Sequence, residues 1–330
     1  MPVSPPPESD CLQPRYSADS ISGDAERIEE LLAQMPPRRR RFSDCGVEAF
    51  RSGNVEEHST CFEQIRRSFP LGGDSEPTGD PLPLKSALTS ALLTHLHNSE
   101  NPVIALSGGI DSFLLACLLR EILGHPPRVA TLASHLTGYC EGDVTLRLAE
   151  RLGLGEVEVF EVSEESFVAN LPSVISACEV PLYNLHPVSK WLFAREIQKR
   201  GYTSCITGDG ADQIAAGRIA YDYLPLLSPL FKDQGIEPVC PFLSPPVIES
   251  IQSRGADPDK QVIRELAMGY LPDDFMHQPK RPCFTPPMDI SGYEGTKNRL
   301  SDRENTFRVT LKLLEQSHLK EEEACALSPE

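Results

Sequence analysis

The six residues Ser107-Gly-Gly-Ile-Asp-Ser112 constrain this chain more than any other stretch. They follow the apolar run Pro102-Val-Ile-Ala-Leu106 and open a helical pattern running from Phe113 to Leu123. That order predicts a strand, a glycine turn and a helix, so that unpaired backbone N–H groups and the positive end of the helix dipole converge on one point. Gly108 and Gly109 let the backbone approach an anion without Cβ clashes, and Ser107 and Ser112 add hydroxyl donors. Asp111 sets a carboxylate at the same place, and a carboxylate beside phosphates requires a divalent cation between them. The segment reads as a site for Mg²⁺ and pyrophosphate, although a bare Ser-Gly-Gly in isolation also fits an ordinary capped corner.

The rest of the chain narrows the setting. Its 330 residues hold one large domain, or one domain with a substantial extension. A formal charge of −17 argues against extended contact with nucleic-acid phosphates or an anionic membrane, whereas a phosphate-binding loop is local and tolerates it. No run of roughly 18 or more apolar residues occurs, and Met1-Pro-Val-Ser-Pro-Pro-Pro lacks a signal-peptide pattern, so the expected location is cytoplasmic. The ten cysteines are scattered without a Cys-x-x-Cys pair, which indicates neither a zinc site nor a disulfide framework.

Three segments are expected. Residues 1–80 form an extension rich in Pro, Ser and charge, with helical stretches at 22–35 and 55–69 and a solvated basic run from Arg38 to Arg41. Residues 81–300 form the main domain. A helix capped by Asp80, with Leu84, Leu88, Leu92 and Leu96 on one face, leads into the loop strand. Further strands are predicted at 128–133, 156–162 and 203–207, separated by helices at 143–152, 164–178 and 187–200. This alternation predicts an α/β fold with a parallel sheet covered on both faces and ligands at the carboxyl ends of its strands. Residues 301–330 read as a charged helix and tail.

A second constellation lies directly after the strand ending at Thr207. In Gly208-Asp-Gly-Ala-Asp-Gln213 glycines again punctuate carboxylates, and Asp209 and Asp212 offer a candidate proton acceptor and a candidate metal ligand. Alone this pattern is weak, since Gly-Asp-Gly turns are common. In chain order after the phosphate loop it gains force.

Together the two loops resemble those of the ATP pyrophosphatase superfamily, and more closely the synthetase domain of asparagine synthetases and the related β-lactam synthetases. Further matches lie at Asp143 with Ala149, Pro241-Phe-Leu243, Lys260 with Arg264, Leu271-Pro272 and Pro279-Lys280. The resemblance runs in order from about residue 84 to residue 290. It implies a five-stranded parallel sheet with helices on both faces, ATP and Mg²⁺ as cofactors, and cleavage of ATP to AMP and pyrophosphate. On this likeness Asp111 and Asp212 hold the metal. Ser107, Gly108, Gly109 and Ser112 bind phosphate, backbone near Leu106, Ser134, Thr207 and Gly208 contacts adenosine, and Lys260 touches pyrophosphate.

A substrate carboxylate would attack the α-phosphorus, and an amine would then attack the acyl-adenylate. Asp209 is the candidate base, with Glu179 or Glu237 behind it. Lys280 is the candidate oxyanion contact, matching the family's late lysine. Asparagine synthetases carry Glu in the second loop and lactam synthetases Tyr, so Asp209 departs from both. Fewer than 100 residues precede the synthetase pattern, so no glutaminase half is expected. Three functions compete. The first is an amide ligase closing a lactam or joining a small amine, in the manner of antibiotic biosynthesis. The second is an ammonia-using enzyme fed by a separate amine-donor protein. The third, disfavoured by Asp111, Asp212 and Lys280, is a nucleotide-binding scaffold without turnover. The partner is a small amino or carboxylic acid; the sequence leaves a homodimer open.

Overall fold

The computed structural model describes residues 82–134, 142–178, 182, 185–215, 226–255, 257, 259–277, 309, 310, 313 and 316. The extension 1–80, Asp80, Glu179 and Lys280 lie outside the described residues.

Five parallel strands form one sheet in the order β3-β2-β1-β4-β5. They are β1 (Pro102–Ala105), β2 (Val129–Ser134), β3 (Val157–Val162), β4 (Ser204–Ile206) and β5 (Glu237–Val239). Central β1 registers Ile104 with Val129 on one side and with Ile206 on the other. The chain winds outward through β2 and β3, then returns to the far side of β1 for β4 and β5. The strand order therefore reverses between β1 and β4, the place where doubly wound sheets open a crevice beyond their carboxyl ends.

One face carries α1 (Leu84–Asn98), α2 (Ile110–Leu123), α8 (Pro245–Gln252) and α9 (Gln261–Ala267), which pack on one another. The other carries α4 (Glu164–Cys178), α5 (His186–Lys199) and α7 (Leu227–Lys232). The remaining helices are α3 (Gly142–Arg151), packed on β2 and β3, then α6 (Ala211–Ala215) and α10 (Asp273–Met276). Every residue of α2 from Ser112 to Leu119 is buried, as an apolar helix between sheet and outer helices must be. Gly124 ends it at φ 71, donating its N–H to Arg120 O.

The helix predicted at 164–178 appears at those residues, and the boundaries of the other predicted elements between 128 and 207 shift by at most one position. Two differences are informative. The first helix starts after Pro83, which stands at the N-cap with no side-chain cap bond. The edge strand β5 holds Glu-Pro-Val, too short for an alternating pattern, and an edge tolerates a proline that cannot donate to a further ladder.

Candidate active site

The turn after β1 closes on itself. The Ser107 N–H donates to Ser112 Oγ at 3.2 Å, and Ser112 Oγ donates to Gly109 O at 3.1 Å. Gly108 sits at φ 67, in the left-handed region that favours glycine. The turn thereby sits on the N-terminus of the fourteen-residue α2, where backbone donors gather.

The turn after β4 rests on that same point. A Cβ on Gly208 would lie 3.0 Å from Ser112 N and 3.1 Å from Asp111 Cβ, so only a glycine backbone comes this close. Gly210 adopts φ 95, and a Cβ there would meet Leu243 Cδ2 at 2.6 Å. The Pro241–Leu243 turn is thus a support under the second loop. Thr207 N–H donates to Val239 O and Leu106 N–H to Ala130 O, both at 2.8 Å. Both N–H groups are thus used within the sheet, and Leu106 O also accepts from Thr131 Oγ1 at 2.9 Å.

A third segment completes the site. Asp257 N–H donates to Ala215 O at 2.8 Å, tying the corner before α9 to the end of α6, which carries Asp212. Lys260 turns that corner at φ 55 and ψ 40, the one non-glycine residue with positive φ among the described residues. Arg264 braces it, donating to Asp259 O and Met276 O at 3.0 and 3.1 Å. The result places Lys260 Nζ 2.8 Å from Asp111 Oδ2 and 2.7 Å from Asp212 Oδ1. The Lys260 and Asp111 side chains are 13% and 14% exposed, whereas Asp212 is half exposed at 51%.

The two expected metal ligands therefore converge on one cationic position at the rim of the phosphate turn. Two carboxylates beside an anion-binding turn are a donor set that fits Mg²⁺, which takes one or two protein carboxylates and completes its shell with phosphate oxygens and water. Asp111 and Asp212 would hold it, and it would neutralise phosphate charge at the turn.

Asp209 has a partner absent from the sequence reading. Lys190 Nζ on α5 lies 2.7 Å from Asp209 Oδ2, with the two side chains 17% and 7% exposed. Lys190 stands between Val188-Ser189 and Trp191-Leu192-Phe193-Ala194, all buried. A lone lysine inside an apolar helical run was the available signal, because such a charge is buried only when paired. Lys190 also lines a cleft of about 520 Å³, measured with its open mouth, at the ends of β1 and β2. Leu106, Leu132, Phe193 and Phe231 give that cleft an apolar floor, and Ser107 joins it to the phosphate turn.

Below the second loop, Cys240 Sγ lies 3.4 Å from Thr207 Oγ1. Its thiol is pushed up to about 12, first by burial and then by the Asp209 charge, so it stays protonated and is no nucleophile at neutral pH.

Glu237 is not brought to the site. It opens β5 opposite Ser204 at the amino end of the sheet, its N–H donates to Thr203 O, and its carboxylate faces Lys232 at 3.7 Å. A carboxylate at the start of a parallel strand lies on the wrong edge to serve a site at the strand ends, which removes Glu237 from the candidate bases. Ser134 ends β2 at the carboxyl edge of the sheet.

Fold and site together define a doubly wound α/β domain with its glycine-rich turn at the switch point. The asparagine synthase family model matches residues 83–255, just over half of the chain, and the protein belongs to that family. Asparagine synthetase [glutamine-hydrolyzing] 2 of Lotus japonicus is 23% identical over 260 residues, covering 67% of this chain and 43% of the relative. Amidase chry2 of Gibberella zeae is 24% identical over 152 residues, covering 42% of this chain and 22% of the relative. The match thus spans less than half the length of these relatives. Among solved structures, NMN synthetase from Francisella tularensis overlaps 72% of this chain and 92% of its own, at TM-score 0.33 and 18% identity. That likeness is too distant to bear on the fold, which rests on the strand order. No helix among the described residues is long and apolar enough to cross a membrane.

Proposed function

We propose that the site activates a carboxylic acid with ATP and passes the acyl group to an amine, forming an amide, a lactam or a small-amine conjugate. The observation that carries this reading is the convergence of Asp111 and Asp212 on one cation position beside the phosphate turn. In the first half-reaction the substrate carboxylate attacks the α-phosphorus. The turn's N–H groups and hydroxyls bind the departing pyrophosphate, and Lys260 has the reach to follow its charge. The cleft lined by Leu106 and Phe193 takes the nucleoside. In the second half-reaction the amine approaches the acyl-adenylate from the side of the second loop, where Asp209 receives its proton. Lys280, by its likeness to the family's late lysine, would meet the developing oxyanion.

The experiment is a product assay with ATP, MgCl₂ and a panel of amino and carboxylic acids, with and without ammonium chloride. AMP and pyrophosphate are expected in equal amounts; ADP and orthophosphate would overturn the reading. The relatives named glutamine-hydrolysing asparagine synthetases favour a second form, in which ammonia from a separate donor is the amine. Product mass separates the two, since ring closure removes water alone and ammonia transfer adds nitrogen.

A further inference from the structure

The second loop holds a carboxylate that its neighbours do not leave to itself. Asp209 is tied from the opposite wall by Lys190, on a helix that joins the chain before β4, while its own N–H reaches Thr207 Oγ1 at 3.4 Å. The ion pair is charge-assisted, short and largely out of water, so it fixes where the carboxylate points. A buried lysine is kept only with a counter-charge, and the lysine's position in the cleft wall sets it between the nucleoside floor and the loop that meets the amine.

We propose that Lys190 is the positioning residue for Asp209: it holds the carboxylate at the carboxyl edge between β1 and β4, where it anchors the incoming amine as an ammonium ion. This rests on the reading that Asp209 meets the amine. The ammonium group binds Asp209, gives it one proton, and its nitrogen lone pair forms the new bond to the acyl carbon. The bond from that carbon to the AMP oxygen breaks with its electron pair, and the second nitrogen proton passes to water. Because Lys190 fixes where Asp209 points, the pair, rather than the loop alone, determines which amine fits. Hydroxylamine, which is uncharged at mildly alkaline pH, needs no such anchor.

The test compares Lys190→Met, Lys190→Arg and Asp209→Asn, using the common amino acids as acids and ammonium chloride or hydroxylamine as the amine. In Lys190→Met, acid-dependent exchange of labelled pyrophosphate into ATP is expected to fall less than ammonium-dependent product formation, and hydroxamate still to form. The KM for ammonium should rise about 10-fold or more, with kcat changing less. Lys190→Arg should restore the ammonium dependence to within a few-fold. An unchanged ammonium KM in Lys190→Met, or a loss of exchange parallel to the loss of product, would overturn the proposal. If the wild-type protein supports no exchange with any acid, the proposed function fails instead, and a thermal-melting cycle still decides the pairing. Lys190→Met should lower the melting midpoint by several degrees in the wild-type background and by much less in Asp209→Asn. Equal losses in both backgrounds would overturn the hold of Lys190 on Asp209.

Discussion

Lys260 Nζ lies 2.8 Å from Asp111 Oδ2 across 149 residues of chain, and the same ammonium reaches Asp212. An internal cation thus stands where the site would set Mg²⁺ between the two carboxylates. Replacing it with Met leaves the two acids facing each other. Because Asp212 is half exposed, the cost is expected at about 1–3 kcal/mol rather than that of a fully buried pair. Added MgCl₂ should raise the melting temperature of Lys260→Met more than that of the wild type, since the metal takes over the missing charge. Equal shifts in a calorimetric scan would refute the shared cation position.

Asp111→Asn and Asp212→Asn keep side-chain volume and remove an anionic oxygen from that position. Each should remain folded by circular dichroism and lose formation of AMP and pyrophosphate by about 10²-fold or more. Wild-type turnover with unchanged Mg²⁺ dependence in either variant would move the metal elsewhere.

Gly210 and Leu243 test the support under the second loop. Gly210→Ala imposes a positive φ on a residue with a Cβ and drives that Cβ into Leu243, at a combined cost of about 2–4 kcal/mol. Leu243→Ala removes the obstacle but not the backbone strain. The double variant should therefore be less destabilised than the sum of the singles by about 1 kcal/mol, measured by urea unfolding. Strict additivity would place Leu243 away from the loop.

His95 supplies a pH signature on the opposite edge of the sheet. Its ring is buried on α1 with Nε2 3.2 Å from Ser204 Oγ, and burial lowers its pKa to about 4. The unfolded chain takes the proton first, so this share of stability is complete above about pH 6.5 and is lost as the pH falls toward 4. The loss should amount to about 2–3 kcal/mol between those limits. A His95→Asn variant should show a flatter acid limb in chemical unfolding; an unchanged limb would assign the acid sensitivity to other groups.

The two loops could be read from the sequence because their chemistry is local. Ser107 to Ser112 needs only a strand before it and a helix after it, and both are written in adjacent apolar periodicity. The helix at 164–178 was legible for the same reason. Glu237 was misplaced because the three-residue strand that it opens was not legible. Strand β5 was missed because three residues carry no period, and its place is set by backbone pairing to β4 rather than by its side chains. Lys190 was passed over because a lysine in a helix is ordinarily solvated, and only its neighbours reveal that it is not.

The sequence by itself determined the class of fold, the glycine turn between β1 and α2 and the residue types placed around it. The tertiary structure alone decided their assembly. Reversal of strand order between β1 and β4 presses Gly208 onto the start of α2. The corner at Asp257 to Lys260 brings a distant ammonium to Asp111 and Asp212, and α5 delivers Lys190 to Asp209. Contacts of this kind join segments roughly 20 to 150 residues apart, which no local periodicity encodes. They follow from burying apolar faces on both sides of one sheet, after which the loops at its carboxyl edge have no other place to be.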